Sequence, residues 1–387
     1  MRGVPPAYDL RVILSLLALA APLVQDWTPP PAPATVPTLA MAQPRFAPFV
    51  LPDELRVVTS VPDLEPLARV LAEQLGQLLG RAVIHGEAPA RSGDVVLTLG
   101  YIAEEVGEGP EALSIEVFED HVALSGRTPA GVARAASRML QLLAPVEGGG
   151  WVLPPFRLDD APRFPWRAVR LRGLASQAEG ERLLELLHLG SFNVLVVEAP
   201  PSEARAALAR ALRPIASALG IRLLLDPPPD GGGALPYARL GAGPIAEGTL
   251  PILITGAPAA SSDAPALLAA GRTLIDGRSP ALRLTGGDQG ALAPALLYGW
   301  SPLDLLDGAG EGAASGSLIL GAEVRLEGAA AMPAFERALP YLAERAWGAA
   351  GAPVELEAFE PRAERLRELV GAAGAASPAS PASPEGR

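Results

Sequence analysis

Two carboxylates stand at the ends of apolar runs, where a side chain able to move a proton would be held against a sheet. Asp226 closes Ile221-Arg222-Leu223-Leu224-Leu225, and Glu198 closes Asn193-Val194-Leu195-Val196-Val197. Side by side, such a pair could divide acid and base roles, because carboxyl groups in unlike surroundings keep different proton affinities. Each has a plainer alternative: Asp226 precedes Pro227-Pro228-Pro229 and fits a turn acid, and Glu198 fits a solvated rim charge. Other chemistry-bearing residues are sparse. His85, His121 and His188 are scattered and there is no cysteine, so no metal site and no cofactor are expected. The run Asp230-Gly231-Gly232-Gly233 is a loop and not a phosphate cradle, since no helix opening with Gly-Lys-Ser/Thr follows it.

The elements that must position these residues are legible. With 387 residues, 49% of them hydrophobic, the chain has enough apolar surface for a core and room for about two domains. A net charge of −12, with no lysine, excludes a protein that works by neutralising phosphates, so no nucleic-acid partner is expected. From Leu55 the pattern reads strand, helix, then short strands at 82–85 and 95–99. A hairpin follows around Glu119-Asp120, and a helix begins with Thr128 as N-cap and Pro129 in its first turn. The first helix carries Leu64, Leu67, Val70, Leu71, Leu75, Leu78 and Leu79 on one face and stops at Gly80. Residues 51–158 thus form an α+β domain, with His85 and His121 as strand or turn residues. From 159 to 370, apolar strands alternate with helical segments, which implies a parallel sheet buried on both faces. Six strands are legible, at 168–174, 193–198, 222–225, 252–255, 281–285 and 318–320. Roughly 210 residues lie near the lower limit for a (β/α)8 barrel, so the expectation is an α/β chain whose second domain is a reduced, TIM-barrel-like sheet.

The ends read differently. Arg2 and Arg11 precede an apolar run, Val12 to Val24, too short to span a bilayer and of the length of a signal-peptide core. Residues 1–27 are therefore read as a signal peptide of an exported, periplasmic or extracellular protein. If that run is not a signal, the protein is cytoplasmic; if it is uncleaved, it is a membrane tether. Residues 28–50 read as a proline-rich linker unable to pack, and 371–387 as a disordered tail of Gly, Ala, Ser and Pro.

The stretch from Met139-Leu140-Gln141-Leu142-Leu143 to Asp159-Asp160-Ala161-Pro162-Arg163-Phe164-Pro165-Trp166-Arg167 resembles the junction of the family 20 glycoside hydrolases, the β-N-acetylhexosaminidases. There, a non-catalytic α+β domain leads into a (β/α)8 barrel. Leu342-Ala343-Glu344-Arg345-Ala346-Trp347 resembles a late helix of the same family. The resemblance implies substrate-assisted hydrolysis of N-acetylhexosaminides, in which an adjacent Asp-Glu pair ending the fourth strand orients the acetamide and protonates the leaving oxygen. In this sequence the nearest counterpart is Gly286-Gly287-Asp288-Gln289. Either Gln289 replaces the acid, or the segment was deleted and Asp288 follows an unrelated strand; the shortage of residues beyond it favours deletion. Both remove the proton donor. Arg172, Ala175 and Glu327 also fall where the resemblance implies an Asp, a sugar-gripping Arg and a pocket Trp. The expectation is a degenerate hexosaminidase relative that binds N-acetylhexosamine glycans. Alternatives are a glycosidase with relocated carboxylates (Asp288, Asp226, Glu198) or a non-catalytic interaction protein. Trp300 fits a sugar platform or a core aromatic equally.

Overall fold

The computed structural model describes residues 35–37, 41–44, 48–226 (apart from 88, 101, 103–105, 107–108, 147–148 and 175), 238–239, 251–256, 264–270, 272–278, 282–285, 293–303, 318–348 and 355–376. In the first lobe the strands are β1 (Met41–Pro44), β2 (Phe49–Val50), β3 (Arg56–Thr59), β4 (Ile84–Glu87), β5 (Asp94–Leu99), β6 (Leu113–Val117), β7 (Val122–Gly126), β8 (Ala144–Pro145), β9 (Trp151–Leu153) and β10 (Phe156–Asp160). Its helices are α1 (Glu65–Leu79) and α2 (Pro129–Leu142). Seven strands form one sheet in the order β1-β10-β6-β7-β5-β3-β4, and β2-β9-β8 form a small second one.

Helical spacing puts Leu67, Leu71 and Leu75 on the buried side of α1, and Gly80 ends the helix at φ 65°, a conformation that spares glycine the Cβ penalty. Thr128 and Pro129 start α2 as the sequence predicts. The Thr128 hydroxyl, however, donates to Pro110 O at 2.7 Å, tying the helix start to a neighbouring loop and leaving the helix's own N–H groups without it. The described parts of the proline-rich stretch pack, contrary to the linker expectation. Thr35 and Val36 are fully buried, with Val36 N–H bonded to Gln141 Oε1 and Val36 O accepting from Arg138 and Gln141. β1 and β2 then join the sheets, because proline limits donors in a strand but leaves an edge strand possible.

Among the described residues the second lobe holds eight parallel strands, where six were legible in the sequence. They are β11 (Trp166–Arg172), β12 (Val194–Glu198), β13 (Arg222–Asp226), β14 (Ala238–Arg239), β15 (Ile252–Gly256), β16 (Leu274–Arg278), β17 (Arg283–Thr285) and β18 (Ile319–Glu327). Helices α3 (Gln177–Leu189), α4 (Glu203–Ala218), α5 (Ala264–Ala269), α6 (Pro294–Gly299), α7 (Met332–Trp347) and α8 (Leu356–Ala376) alternate with or follow them. Ser176 and Ser202 cap α3 and α4 by accepting the N–H of Glu179 and Arg205. The pairing runs β13-β12-β11-β18-β16-β15-β14, so the first and last strands of the series are neighbours, as barrel closure requires. β16 and β17 share one edge of β18, β16 against its start and β17 against its end. On the other edge of β18, Gly321 at φ 136° permits the close approach of β11: a Cβ there would stand 1.8 Å from Trp166 O.

Two strands escaped the sequence reading for physical reasons. β14 is two residues long, and β16 (Leu-Ile-Asp-Gly-Arg) breaks its apolar run with a buried Asp276. The tail expectation also changes, since α8 continues to Ala376 and anchors through Phe359, Leu366 and Val370; residues beyond 376 lie outside those described. Pro33–Arg387 form one compact unit. Among the described residues no helix is long and apolar enough to cross a membrane.

Candidate functional site

Strand alternation sorts the barrel residues into two sets. Val169, Leu171, Leu195 and Val197 face outward into the helix-lined core, while Trp166, Ala168, Val194, Val196, Leu253 and Ile275 cluster inside. Above that apolar floor, at the carboxyl ends where barrel enzymes place their chemistry, the inward positions turn ionic. Arg170 on β11, Arg325 on β18 and Arg283 on β17 lie in register across three adjacent strands. Like charges so placed repel, and carboxylates on both levels offset this. Arg170 is fully buried and donates Nε to Glu323 at 2.6 Å and Nη1 to Asp226 at 2.6 Å and to Glu198 at 3.3 Å. Arg325 Nη2 donates to Glu198 at 3.0 Å. Glu327 takes ion pairs from Arg283 at 3.1 Å, Arg172 at 3.4 Å and Arg325 at 3.7 Å.

The structure therefore brings Glu198 and Asp226 together, in register at the ends of β12 and β13, as a dyad would need. It also puts a guanidinium between them. One nitrogen of Arg170 bonds both carboxylates, so the space in which a scissile bond would sit holds that side chain. Trp300 is buried against Tyr298 and Leu297, and its Nε1 donates to Asp276 at 2.9 Å; it belongs to the core under the helices, away from the inward-facing set. Asp288 lies outside the described residues. The strand before it, β17, pairs with β18 and is the seventh of the described parallel strands in chain order, whereas the resemblance implies an Asp-Glu pair after the fourth. The fourth, β14, is followed by Leu240-Gly241-Ala242-Gly243.

A second ionic cluster, which the sequence reading left unassigned, joins the lobes at the opposite end of the sheet. Buried Glu111 accepts Arg134 Nε from α2 at 2.9 Å, Arg167 Nη2 from β11 at 2.7 Å and Asn193 Nδ2 at 2.9 Å. Burial pushes its carboxyl up, but the charges and hydrogen bonds of Arg167 and Arg134 outweigh this and hold it at about 2. The Trp347 ring packs against two guanidinium groups, Arg138 at 4.6 Å and Arg167 at 4.9 Å. The junction residues Arg167 and Trp347 are the signal that could have found this cluster; nothing in the run around Glu111 does. Beside it, Pro110, Pro162, Trp166, Asn193 and Arg222 line a cleft of about 530 Å³.

Comparison with known proteins follows the same division of the chain. Residues 32–161 match the model of glycosyl hydrolase family 20, domain 2. Over 129 residues the chain is 33% identical to a β-N-acetylhexosaminidase of Cellulomonas fimi; the match covers 32% of this chain and a quarter, 25%, of that relative. Among solved structures, the family 20 β-N-acetylhexosaminidase of Streptomyces coelicolor A3(2) superposes with a TM-score of 0.71 at 16% identity, over 90% of this chain and 97% of that one. A mutant Streptomyces plicatus β-hexosaminidase in complex with its product GlcNAc gives 0.69 at 16% identity, with the same coverage. An exo-β-N-acetylglucosaminidase of Vibrio harveyi in complex with N-acetylglucosamine gives 0.64 at 12%, over 90% and 80% of the two chains. Residues 32–161 thus resemble family 20 domain 2, and the chain shares the fold of the solved family 20 β-N-acetylhexosaminidases.

Proposed function

We propose that this protein is a non-hydrolytic member of that fold, binding N-acetylhexosamine-containing glycans at the barrel mouth without cleaving them. The observation that carries the reading is Arg170: its Nη1 bonds both Glu198 and Asp226, which makes the strand-end carboxylates partners of a buried cation. A general acid must reach the leaving oxygen to pass its proton on, and both carboxylates are here hydrogen-bonded to the Arg170 guanidinium instead. The residues directly after the fourth described strand, Leu240-Gly241-Ala242-Gly243, contain no adjacent Asp-Glu pair, which supports the same reading. Glycan as the ligand rests on the neighbouring structures that hold N-acetylglucosamine. Full-length protein is expected to release no 4-nitrophenol from 4-nitrophenyl N-acetyl-β-glucosaminide above the rate in buffer. Turnover that vanishes in Asp288→Ala would overturn the proposal.

The same reading makes the protein an exported one, on the strength of Arg2, Arg11 and the apolar run Val12–Val24. Expressed in a bacterial host with its leader, it is expected in the periplasm or medium, shortened at the N-terminus. Full-length protein confined to the cytoplasm would count against export.

A further inference from the structure

The ion pairs at the barrel mouth are not evenly exposed. Arg172 and Arg283 have 62% and 53% of their side chains open to solvent, whereas Glu327, Asp226 and Glu198 have 13%, 16% and 20%. Arg170 is buried beneath the carboxylates, whereas Arg172 and Arg283 are more exposed than the carboxylates they pair with. Among the described residues the most exposed charges of these pairs are thus guanidinium groups, although the protein carries a net charge of −12. Arg283 approaches Glu327 through Nε, at 3.1 Å, and more than half of its side chain remains open to solvent. Arg172 Nη1 and Arg283 Nε converge on opposite oxygens of the same carboxylate, Oε2 and Oε1 of Glu327, from the two strands that flank β18, and Arg172 Nε lies 3.7 Å from Glu198. Paired forks of this kind match the planar or tetrahedral oxygens of a carboxylate or sulfate, which accept two parallel N–H bonds. Aromatic platforms do not compete for this role in the described part of the mouth, since Trp166, Trp300 and Trp347 are all buried.

We infer that the barrel mouth recognises an anionic group, carboxylate or sulfate, carried on a saccharide, with Arg172 and Arg283 as its contacts. The inference rests on the glycan-binding reading above for the saccharide, and on the side-chain exposures for the charge. Charge-assisted contacts at an exposed site weaken with salt, so the affinity falls as ionic strength rises.

Isothermal titration of the full-length protein at low and high salt tests it with three probes: neutral N,N′-diacetylchitobiose, a hyaluronan tetrasaccharide in which carboxylates alternate with N-acetylglucosamine, and inorganic sulfate. The tetrasaccharide is expected to bind at least about tenfold more tightly than chitobiose, and Arg172→Gln/Arg283→Gln to remove that advantage. Arg283→Lys, which keeps the charge but not the fork, should retain part of it. Both replaced side chains are more than half exposed, and an unchanged circular dichroism spectrum and melting temperature would show that the double variant is folded. Equal affinity for the two saccharides, or an undiminished preference in the folded double variant, overturns the inference while leaving the glycan reading standing. No binding of either saccharide overturns both. Sulfate binding as tightly as the tetrasaccharide overturns the saccharide part.

Discussion

Glu111→Ala is expected to lower unfolding free energy by about 3–5 kcal/mol, the usual consequence of removing one partner from a buried ion cluster. The loss arises because Arg134 and Arg167, both fully buried, keep their charge and lose the carboxylate that offsets it. Arg134 sits on the first lobe's helix and Arg167 on the first barrel strand, so the change should loosen the junction between them. Glu111→Gln, which preserves an oxygen acceptor, should lose less. Urea denaturation followed by tryptophan fluorescence measures both. The acid limb gives an independent check. The folded carboxyl lies at about 2 against an ordinary 4.5, so its contribution is complete above pH 4.5 and is lost as pH falls from there toward 2. The wild-type protein should lose about 3 kcal/mol through this group over that window, and the Gln variant should not. A variant as stable as wild type would show that the cluster does not hold the lobes together.

His188→Leu is expected to act in the opposite direction. His188 ends α3 fully buried, and neither ring nitrogen has a hydrogen-bond partner. Burial, reinforced by the charge of Arg134, pushes the imidazole down to about 3, so it is neutral in the fold. In the unfolded chain it takes a proton near its ordinary 6.5. Between pH 6.5 and 3 the unfolded state therefore binds the proton that the folded state refuses, and stability falls as pH falls through that range. The full difference is on the order of 4–5 kcal/mol, of which about 2 kcal/mol is already lost at pH 5. Leucine, of similar volume, cannot be protonated and leaves no orphaned polar atoms, which are each worth about 1–3 kcal/mol. The variant should be more stable than wild type at pH 7.5 and more so at pH 5. Equal pH dependence in the two proteins would refute the assignment. Arg134 faces both Glu111 and His188, so the two substitutions should not be additive.

Much of the fold is written locally. The leucine spacing before Gly80, the hairpin around Glu119-Asp120 and the Thr128-Pro129 helix start each depend on neighbours in sequence, and each forms where the pattern puts it. The framework likeness rests on the same kind of signal, because the junction from Asp159 to Arg167 and the run ending at Trp347 are contiguous strings. They are also partners: Arg167 packs on the Trp347 ring, although the two are far apart in the chain.

What the pattern hid depends on distance. Val36 lies in a proline-rich stretch that has no element of its own, and it is buried only because Gln141 and Arg138 on α2 supply the hydrogen bonds its backbone would otherwise lack. Glu198 and Asp226 read as possible acid and base because the sequence shows two strand-end carboxylates and not what stands beside them. Their role is set by Arg170, in the neighbouring strand β11, whose guanidinium can reach both only when three strands lie in register. Residue type and position along a strand follow from the local chain, whereas the state of a titratable group follows from charges within a few ångströms, and those neighbours are chosen by tertiary packing.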